Sequence, residues 1–293
     1  MIRREASATL RIDAPAKVNL YLHVTGKRAD GYHLLDSLIA FAATGDTLEL
    51  EPAAALSLEV AGPTAIALPA GEENIVLKAA KALAARAGVT TGAAMRLTKR
   101  LPVAAGIGGG SADAAAALRG LAQLWGTRLP DSEMMALALR LGADVPVCLA
   151  GRPMAVSGVG ERMVPAPALP PAWLLLVNPR EPLSTPAVFK ARTGCFTDPM
   201  PLETTPGDAA ALAGLLAKRR NDLTQAAVSL VPAVGEALTL IGATPGCLLA
   251  RMSGSGATCF GLYESEATAQ AAARSLAAAK PAWWSVAAPL ISG

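Results

Sequence analysis

Apolar and polar residues alternate along two stretches near the start of the chain, residues 8–12 and 18–24, and a period of two predicts β-strands. On the second stretch Asn19, Tyr21 and His23 share one face. Asp30-Gly31 reads as a turn, and residues 47–51 and 56–60 as further strands. The period then changes. Asn74 is placed to cap a helix that closes at Gly88, because its side chain can accept from free backbone N–H groups and glycine tolerates the left-handed closing position. Residues 95–99 read as a strand leading into a glycine-rich loop. A helix begins near Ser111 and ends by Trp125-Gly126, and another runs Asp131–Leu141, closed by Gly142. A proline-rich segment, residues 165–171, marks a join. Beyond it, 173–177 reads as a short buried strand and 208–241 as mostly helical. Residues 247–252 and 258–263 read as strands around a tight turn at 253–256, Ser265 opens a helix, and 283–288 is a last strand. Strands and helices do not alternate one for one, which predicts an α+β fold rather than a doubly wound sheet. No internal repeat is present.

The 293 residues suit two domains at about 150 residues each. Hydrophobic residues reach 52% and charged residues only 17%, against about 25% charged in ordinary soluble domains, which excludes a disordered chain. Lys plus Arg exceeds Asp plus Glu by 26 to 23, with the tightest basic cluster at Lys218, Arg219 and Arg220. With aromatics at 4%, the basic stripe with interleaved rings of a nucleic-acid binder is missing, and the mild positive balance suits small anionic ligands. Cysteines 148, 195, 247 and 259 have no CxxC spacing and read as small buried hydrophobes in a reducing compartment. With only His23 and His33 to add, a zinc site is not expected. The N-terminal segment MIRREASATL has no apolar core of a signal peptide, and the apolar stretch 163–177 carries prolines at 165, 167, 170 and 171, so it is no membrane helix. A cytoplasmic protein with no membrane and no nucleic-acid partner is expected.

The strongest chemical signal is Pro102-Val103-Ala104-Ala105-Gly106-Ile107-Gly108-Gly109-Gly110-Ser111-Ala112-Asp113, followed at once by an alanine-rich helix. Glycines let the backbone approach a ligand, and a helix start directs free N–H groups and positive dipole at it, so this is a phosphate site. It is neither a Walker loop, having no lysine in the run, nor a dinucleotide fingerprint, since Ser111 stands where the third glycine belongs. A second cluster, Ser253-Gly254-Ser255-Gly256, is a hairpin turn by default and gains meaning only if it faces the first loop. Taken singly, Lys17 in Pro15-Ala16-Lys17-Val18-Asn19 reads as a solvated strand end. Asp144 in Gly142-Ala143-Asp144-Val145-Pro146 reads as a turn residue.

In this order the four segments resemble the GHMP kinases, the superfamily of galactokinase and of homoserine, mevalonate and phosphomevalonate kinases. The resemblance covers residues 14–263. The segment Gly26-x-Arg28-x-Asp30-Gly31-Tyr32-His33 resembles one branch, whose acceptor is a polyol carrying a cytidine diphosphate. The resemblance implies an N-terminal ribosomal-protein-S5-like nucleotide domain for ATP binding and catalysis, residues 1–163, and a C-terminal ferredoxin-like substrate domain, residues 164–293. It implies ATP bound by Pro102, Gly106, Ile107, Gly108, Gly109, Gly110, Ser111 and Ala112, with Asn74 and Lys99 lining the adenosine pocket and Mg2+ touching Ser111. Asp144 is implied as the base for the attacking hydroxyl, kept ionised by Lys17, which also stabilises developing negative charge. Asn19, Gly254, Ser255 and Gly256 are implied to meet the acceptor, with Tyr32, His33 and Phe189 gripping its cytosine. The partner is this small molecule, and the protein a monomer or weak homodimer.

Overall fold

A computed structural model describes residues 9–65 and 71–292. The start of the N-terminal segment read above, and with it Ala8, lies outside the described residues. The elements run β1 (Leu10–Lys27), β2 (His33–Ala53), β3 (Ser57–Ala61), α1 (Ile75–Ala87), β4 (Gly92–Thr98), α2 (Gly109–Leu124), α3 (Asp131–Leu141) and α4 (Val145–Ala150). They continue with β5 (Met154–Gly158), β6 (Arg162–Pro165), β7 (Trp173–Asn178), α5 (Thr185–Ala191), α6 (Ala209–Ala217), α7 (Thr224–Leu230) and α8 (Ala233–Gly242). The last four are β8 (Leu249–Met252), β9 (Cys259–Tyr263), α9 (Glu266–Ala279) and β10 (Trp284–Ile291). The α+β expectation holds.

Two compact units share these elements. One takes the chain through Ala16, then Gly45–Val103 and Gly109–Ala150; the other takes Lys17–Thr44, Ala104–Gly108 and everything from Gly151. The units are not contiguous in sequence, because β1 and β2 each run through both. In the first unit β2 pairs antiparallel with β4, Thr47 opposite Thr98, and β4 pairs parallel with β3. Helices α1, α2, α3 and α4 pack on one another, and α2 lies on the sheet where a Cβ at Gly120 would fall on Leu50 and Ile12. Alanines 112 and 114–117 of α2 are buried, so small side chains bring this helix close to its neighbours. In the second unit β10 stands between β2 and β7, followed by β9 and β8, all antiparallel, with β5 on β2 and β6 on β5. Helices α8 and α9 cover β7 and β9 over a core of Leu175, Val177, Ile241, Cys259, Tyr263 and Leu276.

Asn74 caps α1 by accepting from the Val76 N–H, and Gly88 closes it at φ 66°, as the sequence predicts. Helix α3 has the predicted bounds, and α9 is capped by Ser265. The strands differ more. Residues 10–27 form one strand rather than two short ones, and β2 starts 14 residues before the predicted 47–51 segment. Residues 36–42 are buried on both faces, so they show no alternation to read. Strands β5 and β6 and helices α4 and α5 carry no periodic signal long enough to be predicted. Cys148 and Cys259 are buried as expected, but Cys195 is exposed, because it lies in the irregular segment after α5.

At Gly45 the backbones of β1 and β2 pass close to one another. A Cβ there would fall on the Ala14 carbonyl oxygen and stand 2.7 Å from Pro15 Cα. Both obstacles are backbone and cannot rotate away. Gly45→Ala should therefore destabilise the protein by about 1–3 kcal/mol, the usual cost of overpacking, seen as a lower urea midpoint.

Candidate active site

Lys17 is 5% exposed, not a solvated strand end, and it donates through Nζ to Asn19 Oδ1 at 3.0 Å. Asn19 in turn donates from Nδ2 to Ser37 Oγ at 2.8 Å, so its amide is held at both ends. The Asn19 backbone N–H donates to Ser253 Oγ at 3.0 Å. Ser253 is fully buried, and its hydroxyl donates to the Gly106 carbonyl at 3.1 Å. One hydroxyl thus ties β1 to both glycine clusters. Two more bonds fix the first loop: Lys17 N–H to the Ile107 carbonyl at 3.0 Å, and Thr258 N–H to the Ala105 carbonyl at 3.1 Å. The second cluster is the turn between paired strands β8 and β9, and it does face the first loop.

Gly106 shows why glycine is required there. Its φ is 74°, and a Cβ would stand 2.5 Å from the Gly256 carbonyl oxygen and 2.8 Å from that of Ser253. Asn221, buried, donates from Nδ2 to the carbonyls of Met252 and Gly254, both at 2.8 Å, and so shapes the second turn from behind. Ser255 Oγ lies 2.6 Å from Thr185 Oγ1, linking that turn to α5.

Helix α5 carries Phe189, whose ring stacks on His33 at 4.9 Å between centroids and 25° between planes. The second unit therefore brings together two of the three rings expected to grip a base. Tyr32 is next to them in sequence and 67% exposed. Burial, then the charges of Lys27 and Arg192, push the His33 imidazole below its ordinary value. Tyr21 and His23, on the same strand face as Asn19, serve structure instead. Tyr21 donates to Asp36 Oδ1 at 2.9 Å, and His23 Nδ1 lies 3.6 Å from Asp36 Oδ2, which also accepts the Met200 N–H.

In the first unit α2 begins at Gly109, two residues earlier than predicted, with Ser111 half-buried in its first turn. The start of α1, where Asn74 sits, is close by: Ile75 Cγ2 would stand 3.9 Å from a Cβ on Gly110. The side chains of Pro102, Ile107 and Ala112 are buried, leaving only their backbone to meet a ligand. Lys99 is 3% exposed, its ammonium shared between Asp46 and Asp113. Asp144 is half-buried between α3 and α4, its carbonyl accepting the Cys148 N–H at 3.2 Å. Lys17 and Asp144 belong to different units.

Sequence reasoning gave no role to Ser253, Asp113, Asn221 or Asp46. The first two stand inside quoted motifs, and Asn221 follows the basic cluster at 218–220. Asp46 follows a glycine inside a strand, a pairing that otherwise signals a turn, and nothing local marks it.

A glycine loop leads into a helix and is pinned to a second glycine turn and to the backbone of a buried lysine on a neighbouring strand. The chain belongs to the GHMP kinase family: the GHMP kinases N terminal domain matches residues 74–152, and the GHMP kinases C terminal domain matches 203–282. Within that family it is 66% identical to the 4-diphosphocytidyl-2-C-methyl-D-erythritol kinase of Paramagnetospirillum magneticum, over 96% of this chain and 98% of the relative. It is 55% identical to the enzyme of that name from Rhodospirillum rubrum, over 95% and 91% of the two chains. A crystal structure of 4-(cytidine 5'-diphospho)-2C-methyl-D-erythritol kinase matches with TM-score 0.81 and 36% identity, over 97% of this chain and all of the other. A homoserine kinase structure from Cytophaga hutchinsonii shares the fold at TM-score 0.71 and 18% identity, covering 99% and 100%.

The depressed His33 value has a consequence for pH. A histidine whose folded value lies below its unfolded value of about 6.5 destabilises the fold as pH falls through that range and is neutral above it. NMR titration of the His33 ring should show a midpoint below 6.5, rising towards that value in Phe189→Ala as burial is lost.

Proposed function

We propose that the chain transfers the γ-phosphoryl group of ATP to the 2-hydroxyl of 4-diphosphocytidyl-2-C-methyl-D-erythritol, in the non-mevalonate route to isoprenoid precursors. The names of its relatives support this reading. The observation that carries the choice of acceptor is the His33–Phe189 stack with exposed Tyr32 at its side, a flat aromatic grip suited to a cytosine ring.

In this reading the triphosphate lies on Gly106, Gly108 and the N–H groups of Gly109–Ser111, and the adenosine lies towards Asn74. Asp144 would take the proton of the attacking hydroxyl, whose oxygen bonds the γ-phosphorus as the bond to the ADP oxygen breaks. Lys17 would stabilise the charge that gathers on the phosphoryl oxygens, its ammonium aimed by the bond to Asn19 Oδ1. Asn19 and residues Gly254, Ser255 and Gly256 would meet the polyol and its phosphates. Magnesium suits this site as an ion carried mainly by phosphate oxygens. Among the described residues no three acidic, histidine or cysteine side chains cluster to hold it, Asp113 is engaged by Lys99, and Ser111 offers one hydroxyl. When bound, the ion would neutralise phosphate charge. Residues 1–163 would supply the nucleotide and catalytic groups, and 164–293 most of the acceptor side.

Asp144→Asn should lower turnover by about 10²–10⁴, the range for a lost general base, while ATP binding measured by calorimetry stays within about twofold. A coupled ADP assay compares the acceptor with mevalonate and homoserine. Phosphorylation of the cytidine-bearing acceptor alone is expected, and equal turnover of mevalonate would leave only a GHMP-type kinase of other specificity. Tyr32→Ala should weaken that acceptor by about 10- to 100-fold, since a base-stacking ring contributes roughly 1–3 kcal/mol.

A further inference from the structure

The tightest basic cluster of the sequence, Lys218 to Arg220, has no part in the reaction as described. Its middle residue is turned inward. Arg219 is 8% exposed, and its guanidinium donates to the carbonyls of Met200 at 2.7 Å, Pro201 at 2.8 Å and Leu215 at 2.6 Å. The backbone that follows lies along β1: the Leu22 N–H donates to the Arg220 carbonyl at 3.0 Å, and the Asp222 N–H to the Leu22 carbonyl at 2.9 Å. A second buried arginine, Arg251 on β8, joins this segment to β1 again. It donates from Nη1 to the Leu20 carbonyl at 2.7 Å, and from Nη2 to the carbonyls of Arg219 at 2.7 Å and Leu216 at 2.9 Å.

Two adjacent residues of β1 are thus held from β8 and its turn. Arg251 fixes the carbonyl of Leu20, and Ser253, two residues on, accepts the N–H of Asn19 at 3.0 Å. Asn221 braces the same turn from the other side. Its Nδ2 donates to the carbonyls of Met252 and Gly254, both at 2.8 Å, while its Oδ1 accepts the Leu223 N–H at 2.9 Å and so fixes which way the amide faces. Strand β1, the segment 219–222 and the second glycine turn form a triangle, with Arg251 and Asn221 as its braces. All of these residues belong to the second unit.

We propose that Arg251 and Asn221 are positioning residues for phosphoryl transfer, which together set where Asn19 stands and, through Asn19, where the Lys17 ammonium points. They act through β1 and the turn rather than by touching the reacting groups. The inference rests on the kinase reading above, in which Lys17 stabilises the phosphoryl group in flight. The planar fork of arginine is what this place requires: one rigid group reaches carbonyls on two chain segments, whereas a lysine ammonium is a single point on a flexible stem. Burial, then the charge of Arg219, draws the Arg251 guanidinium down to about 10, so near neutral pH it stays a cation and keeps its donors. At position 221 the amide is equally specific. An aspartate of the same shape would turn an acceptor towards two carbonyls that need a donor.

Steady-state kinetics on Arg251→Lys, Asn221→Asp and the double variant test this, with magnesium ATP saturating and the cytidine-bearing acceptor varied. Each rate is divided by the fraction of protein folded under the assay conditions, taken from urea unfolding, so that lost stability is not counted as lost catalysis. Each single variant should lose about 10- to 100-fold in kcat, with the acceptor's KM within about threefold, because a misplaced group that acts in the transition state costs rate rather than ground-state binding. The double variant should fall no more than about threefold below the worse single variant, since both braces hold one frame. If Arg251→Lys does not fold, Asn221→Asp is read by the same criteria for kcat and KM. Full kcat per folded molecule in either single variant would overturn the proposal, as would losses that multiply in the double variant. A rise in the acceptor's KM with kcat kept would also overturn it, since that is the mark of a direct binding contact. If the unaltered protein does not phosphorylate this acceptor, it is the kinase reading that fails.

Discussion

The hydroxyl of Ser253 donates to one backbone carbonyl, that of Gly106, and accepts one backbone N–H, that of Asn19. Three chain segments separated by up to 234 residues meet at this single buried oxygen. The strand residue that aims Lys17, the loop offered to phosphate and the second glycine turn are therefore fixed relative to one another before any ligand arrives. Preorganisation of this kind matters for phosphoryl transfer, where the protein's contribution is mostly position and charge. The node also explains the glycines around it. At Gly106 a side chain would collide with the carbonyls of Gly256 and Ser253, so the residue type follows from how closely two backbones must pass.

Charge is distributed around the loop with the same economy. Lys17 is buried and directed at Asn19, whereas Lys99, equally buried, is spent on two carboxylates. Two lysines of similar burial thus have different surroundings: Lys17 Nζ donates to the Asn19 amide, and Lys99 Nζ is shared between two carboxylates that tie it to the scaffold. An unpaired charge in such surroundings would be costly, which is why the second lysine is matched and even over-matched.

The acceptor side follows a different logic. His33 and Phe189 come from β2 and from α5, and α5 is tied through Thr185 to Ser255 of the second glycine turn. A shift of the Phe189 ring would therefore be felt at the turn, and in the proposed function binding far from the reacting hydroxyl can help align it. This coupling accords with the place of the chain among relatives named for a cytidine-bearing acceptor.

Much of this was legible in the sequence, and the exceptions have a common cause. Helices α1, α3 and α9 were readable because their caps and periodicity are local, and the glycine loop was readable because several special residues stand side by side. The order of the motifs carried the family. Strand β2 was half hidden, since a strand covered on both faces loses the alternation that marks it. The division into two units was hidden as well, because both long strands run through the two. Asp46, Ser253 and Asn221 acquire their roles only from partners distant in sequence, and Lys99 looked like any surface lysine until the fold set two carboxylates against it. The sequence by itself determined the local geometry and the chemical types available. Tertiary structure decided which polar groups became partners, because burial makes an unsatisfied donor or charge expensive and so fixes each group's role by whatever the fold places beside it.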